Sequence, residues 1–329
     1  MRHTPLGLIV IFALAVLAAP LPADAQQPAK IPRIGFLWAS PLSASPHRLE
    51  AFRQGLRELG YVEGQNIALE VRSAEGKWER LPALAAELVR LKVDIMVTAI
   101  VPAIQAAQQA TKTIPIVMAV VVDPVATGFV ASLARPGGNI TGLSMMAPEL
   151  VGKQLELLKE VVPKVSRVAL LWNPANAGNP PQLREAEVAA RTLGVRLQPF
   201  EARGPSEIDR AFAAMTKERA GGLLVTVDAM FLLHRTRIAD LAARSRLPAV
   251  YGLREYPEAG GLMAYSANVT EMFRRAATYV DKILKGAKPA DLPVEQPMRF
   301  ELVINLKAAK ALGLTFPQSI LLRTDQVIQ

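Results

Sequence analysis

Along this chain, short unbroken apolar runs alternate with longer stretches in which apolar residues recur every third or fourth position, and the alternation occurs twice. Residues 33–38 read RIGFLW and residues 167–172 read RVALLW. Apolar runs without polar alternation mark strands buried on both faces. Each run leads into a helical stretch that closes on Leu-Gly at the same distance after its arginine, at Gly60 and at Gly194. In the first of these Leu49, Phe52, Leu56 and Leu59 share one face, and the glycine beyond them reads as a C-cap. A second echo follows. Val97-Thr98 and Val225-Thr226 each end an apolar run, and after each comes a helical segment and another short strand opening at Pro115 or Pro248.

The spacing predicts strands at residues 34–38, 67–71, 94–98 and 116–122, separated by helices at 49–59, 81–91 and 103–111. The second unit repeats this with strands at 167–172, 196–200, 222–226 and 249–251 and helices at 183–193, 208–217 and 232–244. Strands alternating with helices give parallel sheets covered on both faces, so the expected class is α/β with two doubly wound, Rossmann-like lobes. A strand at 140–144 leads through Pro148 into a helix ending before Pro163, where the chain passes to the second lobe. Residues 262–266 read as the return. Asn268 then caps a helix with Glu271 completing a capping box, and Phe273, Ala276, Ala277, Val280 and Leu284 form its apolar side. The proline-rich stretch 288–297 reads as a third crossing. The expected division is residues 26–144 plus 267–288 in lobe one and 145–266 plus 289–329 in lobe two, joined by a multi-strand hinge.

The first residues change the setting. Arg2 precedes an uncharged, mostly apolar run at 6–19, and Ala23-Asp24-Ala25 ends the stretch in the A-x-A pattern of a cleavage site. Residues 1–25 therefore read as a cleaved signal peptide, with the mature chain starting at Gln26. The run falls short of the roughly 20 residues of a spanning helix, and Pro20 and Pro22 break it. With no cysteine in the chain there is no lipid anchor, disulfide or thiolate metal site, and the expected location is a periplasm, as a soluble monomer.

The net charge of +9 raises nucleic acid or anionic lipid as a partner, but lysines and arginines are scattered and do not interleave with aromatics, so no nucleic acid is expected. Of three histidines, His47 and His234 lie beyond the signal, without H-E-x-x-H or G-x-S-x-G. Gly137, Gly138 and Gly142 do not fit G-x-G-x-x-G, and no P-loop lysine follows. No metal, cofactor or catalytic cycle is expected.

Ligands of open parallel sheets sit beyond the carboxyl ends of the strands. Trp38, Ser40, Thr98 and Asp123 stand there in lobe one, and Asn173, Asp228, Tyr251 and Glu255 in lobe two, with Tyr265 at a crossing. A carboxylate such as Asp123 or Asp228 suits an ammonium group, hydroxyls and Asn173 suit a carboxylate or carbonyl, and Trp38 and Tyr251 suit a flat ligand. Each has a structural alternative. Trp38 and Trp172 match across the duplication as packing residues, and Asp123-Pro124 and Asn173-Pro174 are turn sequences. Tyr265 fits hinge packing, Glu255 fits a helix cap, and Trp78 fits either a helix start or a cleft wall.

DPVATGFVASLARPGGNITG at 123–142, with FRQGLRELGY at 52–61, EAGGLM at 258–263 and AATYVDKILKGAKPADLPVEQ at 276–296, resembles the tryptophan/tyrosine-type family of ABC-transporter substrate-binding proteins. The resemblance covers essentially the whole mature chain. It implies a type I periplasmic binding protein fold, closure about a hinge, and delivery of a small-molecule solute to an ABC permease in the membrane. The chain departs from the family pattern at Arg254-Glu255-Tyr256-Pro257 and at Ser266-Ala267, which leaves the solute open. The rival readings are a ligand-sensing module for a membrane receptor and a two-domain α/β enzyme such as a transferase.

Overall fold

The computed structural model describes residues 31–329. The export segment expected at 1–25 and the expected mature start at Gln26 lie outside the described residues.

Two sheets carry the chain. β1 (Arg33–Trp38), β2 (Ala68–Ser73), β3 (Ile95–Ala99), β4 (Ile116–Val121) and β5 (Ile140–Ser144) form the first in the order β2-β1-β3-β4-β5, every pair parallel. The second repeats that order as β7-β6-β8-β9-β10, built from β6 (Arg167–Trp172), β7 (Arg196–Glu201), β8 (Gly222–Val225), β9 (Ala249–Tyr251) and β10 (Met263–Ala267). β11 (Phe300–Asn305) then pairs antiparallel with β10, and β12 (Gln326–Ile328) lies parallel to β11 at the edge. The sequence duplication is thus a duplication of topology.

Helices cover both faces of each sheet. α1 (Pro46–Glu58), α2 (Leu81–Arg90) and α3 (Val101–Ala110) are the crossovers of the first, and α4 (Ala147–Val161) leads out of it. α5 (Asn179–Thr192), α6 (Pro205–Lys217), α7 (Ala229–Leu233), α8 (Arg235–Arg244) and α9 (Glu255–Glu258) belong to the second. The single helix expected at 232–244 is two. The His234 amide turns back to the carbonyls of Met230 and Phe231, both at 3.1 Å, which closes α7 after little more than a turn.

α10 (Val269–Leu284) leaves β10 of the second sheet but covers the first, burying Phe273, Ala276, Ala277 and Val280 against it. Fully burying a side chain such as Phe273 contributes about 1.5–3 kcal/mol, and Phe273→Ala would undo this with a cavity as well. The helix crosses α1 so closely that a Cβ on Gly55 would stand 2.2 Å from the Arg274 carbonyl oxygen; only glycine fits. The Asn268 side chain caps it, accepting from the Glu271 amide at 2.9 Å, whereas the Glu271 carboxylate turns to Arg274, so the expected capping box is half formed.

Between α10 and β11 the chain runs beside β5. The Glu295 amide donates to the Gly142 carbonyl, the Ser144 amide donates to the Glu295 carbonyl, both at 2.9 Å, and the Thr141 hydroxyl donates to the Leu292 carbonyl at 2.6 Å. Gly142 sits at φ +140°, where a Cβ would fall 2.1 Å from the Met118 carbonyl oxygen. The chain ends in α11 (Leu306–Leu312), α12 (Gln318–Leu321) and β12. Among the described residues no helix is long and apolar enough to cross a membrane.

Candidate functional site

The carboxyl ends of the two sheets meet around two adjoining cavities of about 40 Å³ each. Both are lined by Arg48, Ile100, Val120, Ala229 and Leu232, so they are parts of one narrow space between the two sheets. Val121, Val122, Met145, Val227, Asp228 and Leu253 wall one part; Trp38, Ser40 and Phe273 wall the other. The two sides touch, since a Cβ on Gly178 would lie 3.2 Å from the Val122 side chain.

The first-sheet wall begins at the end of β1. Trp38 stacks on Phe36 with ring centroids 5.6 Å apart and meets Phe273 at 5.4 Å; its indole Nε1 is buried without a hydrogen-bond partner. Arg48 follows in the first turn of α1, where its charge opposes the helix dipole. Its Nη2 pairs across the cleft with Glu255 Oε1, at the start of α9, and both side chains are more than nine-tenths buried. Arg48 Nε and Glu255 Oε2 have no partner. Burial opposes ionisation of Glu255 and is the largest single influence, but the Arg48 guanidinium, a backbone amide and His47 together outweigh it and hold the carboxyl below its ordinary value.

At the end of β3, Ile100 has φ +63° and ψ 149°. For a β-branched residue this backbone costs on the order of 1–3 kcal/mol. It starts α3, which has no side-chain cap. The pairings of β3 with β4 and of β4 with β5 shift register after Thr98 and Met118, near the same end, re-aiming Val120 and its neighbours.

The second-sheet wall is a closed polar network. Asp228 caps α7: Oδ1 accepts from the amides of Met230 at 2.8 Å and Phe231 at 3.0 Å, and Oδ2 accepts from Asn176 at 2.8 Å and Asn173 at 3.2 Å. Burial nevertheless pushes its carboxyl up. Behind it the Asn179 oxygen accepts from the Asn173 amide at 2.9 Å and the Thr226 hydroxyl at 2.6 Å, while Gln182 accepts from the Val227 amide at 2.9 Å. These bonds tie the ends of β6 and β8 to the start of α5.

Trp38, Ser40 and Asp228 therefore line the space, Glu255 reaches it through Arg48, and Asn173 sits behind Asp228. Thr98 is fully buried and donates to the Leu37 carbonyl at 3.0 Å. Asp123 makes a turn, accepting from the amides of Val125 at 3.0 Å and Ala126 at 2.9 Å. Tyr251 stacks on Tyr256 at 4.3 Å and lines a separate hollow of about 210 Å³ between α8 and α11; burial raises its phenol. Tyr265 lies 6.0 Å from Phe300, and its carbonyl accepts from Gln154 at 2.9 Å. Among the described residues no cluster of three or more His, Asp or Glu is placed to hold a metal. Sequence reasoning passed over Arg48 and Asn176. The first was detectable as an arginine in the first turn of a helix that follows a cleft-side strand.

Residues 44–328 match the family described as ABC transporter substrate binding protein. The chain belongs to that family. Its members bind substrates for transporters and are not enzymes. A tyrosine-binding protein of Clostridioides difficile (strain R20291) is 26% identical over 265 residues, 80% of this chain and 76% of that protein. The crystal structure of an ABC domain from Streptococcus pneumoniae in complex with L-Trp superposes with a TM-score of 0.84 at 28% identity, covering 90% of this chain and 99% of that one. A glucose-galactose binding protein from Geobacillus stearothermophilus shares the fold at a TM-score of 0.61 and 13% identity, covering 84% and 98%. This substrate-binding protein has the type I periplasmic binding protein fold, with two doubly wound lobes.

Proposed function

We propose that this substrate-binding protein takes a small amino-acid-like solute, polar at one end and aromatic or otherwise apolar along its body, into the interlobe space and delivers it to an ABC permease. The observation that carries the reading is a mostly apolar space between the carboxyl ends of the two sheets with a buried ion pair at its edge contributed by both lobes. The relatives named for tyrosine and L-Trp support an aromatic body.

Residues 31–144 with 267–297 act as one lobe, because residues 290–295 bond to β5 and the loops beside it, and 145–266 with 298–329 act as the other, moving about their three connections. The solute bridges them and favours the closed form by the contacts it makes only there. The chain works as a monomer in the periplasm, released from a signal peptide at residues 1–25.

The test is a panel of amino acids, aromatic acids, amides and sugars, read by thermal shift and by small-angle scattering. An aromatic amino acid at a hundred times its Kd is expected to stabilise the fold by about 2.7 kcal/mol and to keep the particle compact. Absence of stabilisation and compaction across the whole panel would overturn the reading.

A further inference from the structure

We propose that Arg48 Nε and Trp38 Nε1 form a carboxylate subsite in the interlobe space, assembled when Glu255 arrives from the opposite lobe. The inference rests on the solute-binding reading above and deepens it, because it names the group of the solute that is recognised.

Asp228 is the obvious anchor for a ligand ammonium, but its two oxygens already accept four hydrogen bonds, which uses the capacity of a carboxylate. Asn176 donates to Asp228 and accepts from the Gly178 amide. The buried polar atoms on these walls left without a partner are Arg48 Nε and Trp38 Nε1, and both residues line the same part of the space. An indole N–H and a guanidinium N–H can only donate. A buried donor is costly to leave unpaired, so the group that completes this wall is an acceptor.

Two further features favour an anionic acceptor. Ile100, which lines both parts, opens α3, a ten-residue helix without a side-chain cap, so its positive end lies at the same wall. Glu255 holds Arg48 by Nη2, leaving Nε free. Glu255 Oε2 is also unpaired, but Glu255 does not line the space, and it serves as a positioning residue for the guanidinium. Because it comes from the second lobe, the carboxylate subsite is complete only in the closed form. The recognised class is a small carboxylate with an apolar or aromatic body; the amino group contributes less.

Calorimetric titration with L-tryptophan, its deaminated acid indole-3-propionate and its decarboxylated amine tryptamine tests this, with L-tyrosine, 3-(4-hydroxyphenyl)propionate and tyramine as a parallel set. In the unaltered protein the acid is expected to bind within about tenfold of the amino acid and the amine at least about a hundredfold more weakly. Trp38→Phe keeps a ring against Phe273 but removes the donor, and is expected to shrink the acid-to-amine preference by about tenfold. Arg48→Lys, which retains the charge without the guanidinium edge, reads the same preference should Trp38→Phe not fold. A preference near one in the unaltered protein, or one that either variant leaves intact, overturns the subsite while the solute-binding reading stands. Failure of every amino acid and small carboxylate to bind defeats that reading, and the subsite with it.

Discussion

The two lobes share a strand order, yet their cleft-facing ends are built differently. In lobe two the polar groups around Asp228 are consumed internally, although Glu255 Oε2 is not: Asp228, Asn173, Asn176, Asn179, Gln182 and Thr226 bond to one another and to the loop backbone. In lobe one the wall is apolar and carries donors on Trp38 and Arg48 that nothing in the chain satisfies. The duplicated threonines show the divergence on a small scale. Thr98 donates to the Leu37 carbonyl of the neighbouring strand, whereas the Thr226 hydroxyl, 3.2 Å from the corresponding Leu171 carbonyl, donates to the nearer Asn179 oxygen at 2.6 Å. The tryptophans diverge too, because Trp38 lines the space and Trp172 does not. A satisfied network makes a rigid frame, whereas unsatisfied groups are available to a solute. The Asp228 network of lobe two is thus a frame, and the lobe-one wall offers contacts.

Replacing Asp228 by alanine is the strongest way to break this contrast. It leaves two amides and two side-chain donors without their acceptor and removes a helix cap, an expected loss of about 2–4 kcal/mol. Denaturant unfolding measures it, and affinity for an aromatic amino acid is expected to stay within about threefold, roughly 0.7 kcal/mol. Unchanged stability with lost affinity would make the second wall a contact surface.

Arg48→Met strands the Glu255 charge. In a rigid interior that costs about 3–5 kcal/mol, but opening about the hinge returns Glu255 to water, so the loss of unfolding free energy is expected to fall well below that range. Scattering is expected to report a larger unliganded particle. A full loss with no change of shape would mean that the lobes do not part.

Acid probes the same pair without mutation. The Glu255 carboxyl is held below its ordinary value when the lobes are closed, so its contribution to closure is present at neutral pH and is lost as pH falls through the closed-state value. The radius of gyration is expected to stay flat through the neutral range and rise below the ordinary carboxylate range. Asp228, pushed up by burial, has the opposite slope and strengthens the fold over the first part of that fall. Expansion that begins above the ordinary range would break the assignment to Glu255.

The smallest effect is the sharpest comparison. Thr98→Val removes a bond to a strand carbonyl and is expected to cost about 1 kcal/mol, while Thr226→Val removes the short bond to Asn179, a member of the Asp228 network, and is expected to cost about 1.5 kcal/mol. Thermal unfolding of the two variants checks the order, and neither is expected to alter affinity.

The lobes were legible because strands buried on both faces leave short unbroken apolar runs, such as residues 33–38 and 167–172, and the same run followed by the same helical spacing occurs twice. β11 and β12 were not read, since they complete a sheet through pairing with β10 and with each other and carry no crossover pattern of their own. The break at His234 was missed because apolar spacing continues across it, and the turn is set by backbone bonds. At the site, Asp123 and Asp228 look alike as carboxylates beyond strand ends. What separates them is long-range: only Asp228 meets the side chains of Asn173 and Asn176. Arg48 was passed over because its partner is Glu255, far along the chain and in the other lobe.

A crystal structure of the protein grown with L-tryptophan or L-tyrosine tests the central claim most directly. The account expects the solute between the lobes, its ring against Val120, Leu232 and Leu253 and its carboxylate on Trp38 Nε1 and Arg48 Nε, with Asp228 still bound to Asn173, Asn176 and its two amides. A solute bound outside the interlobe space, for instance in the hollow beside Tyr251, or one held through its ammonium by a rearranged Asp228, would contradict it.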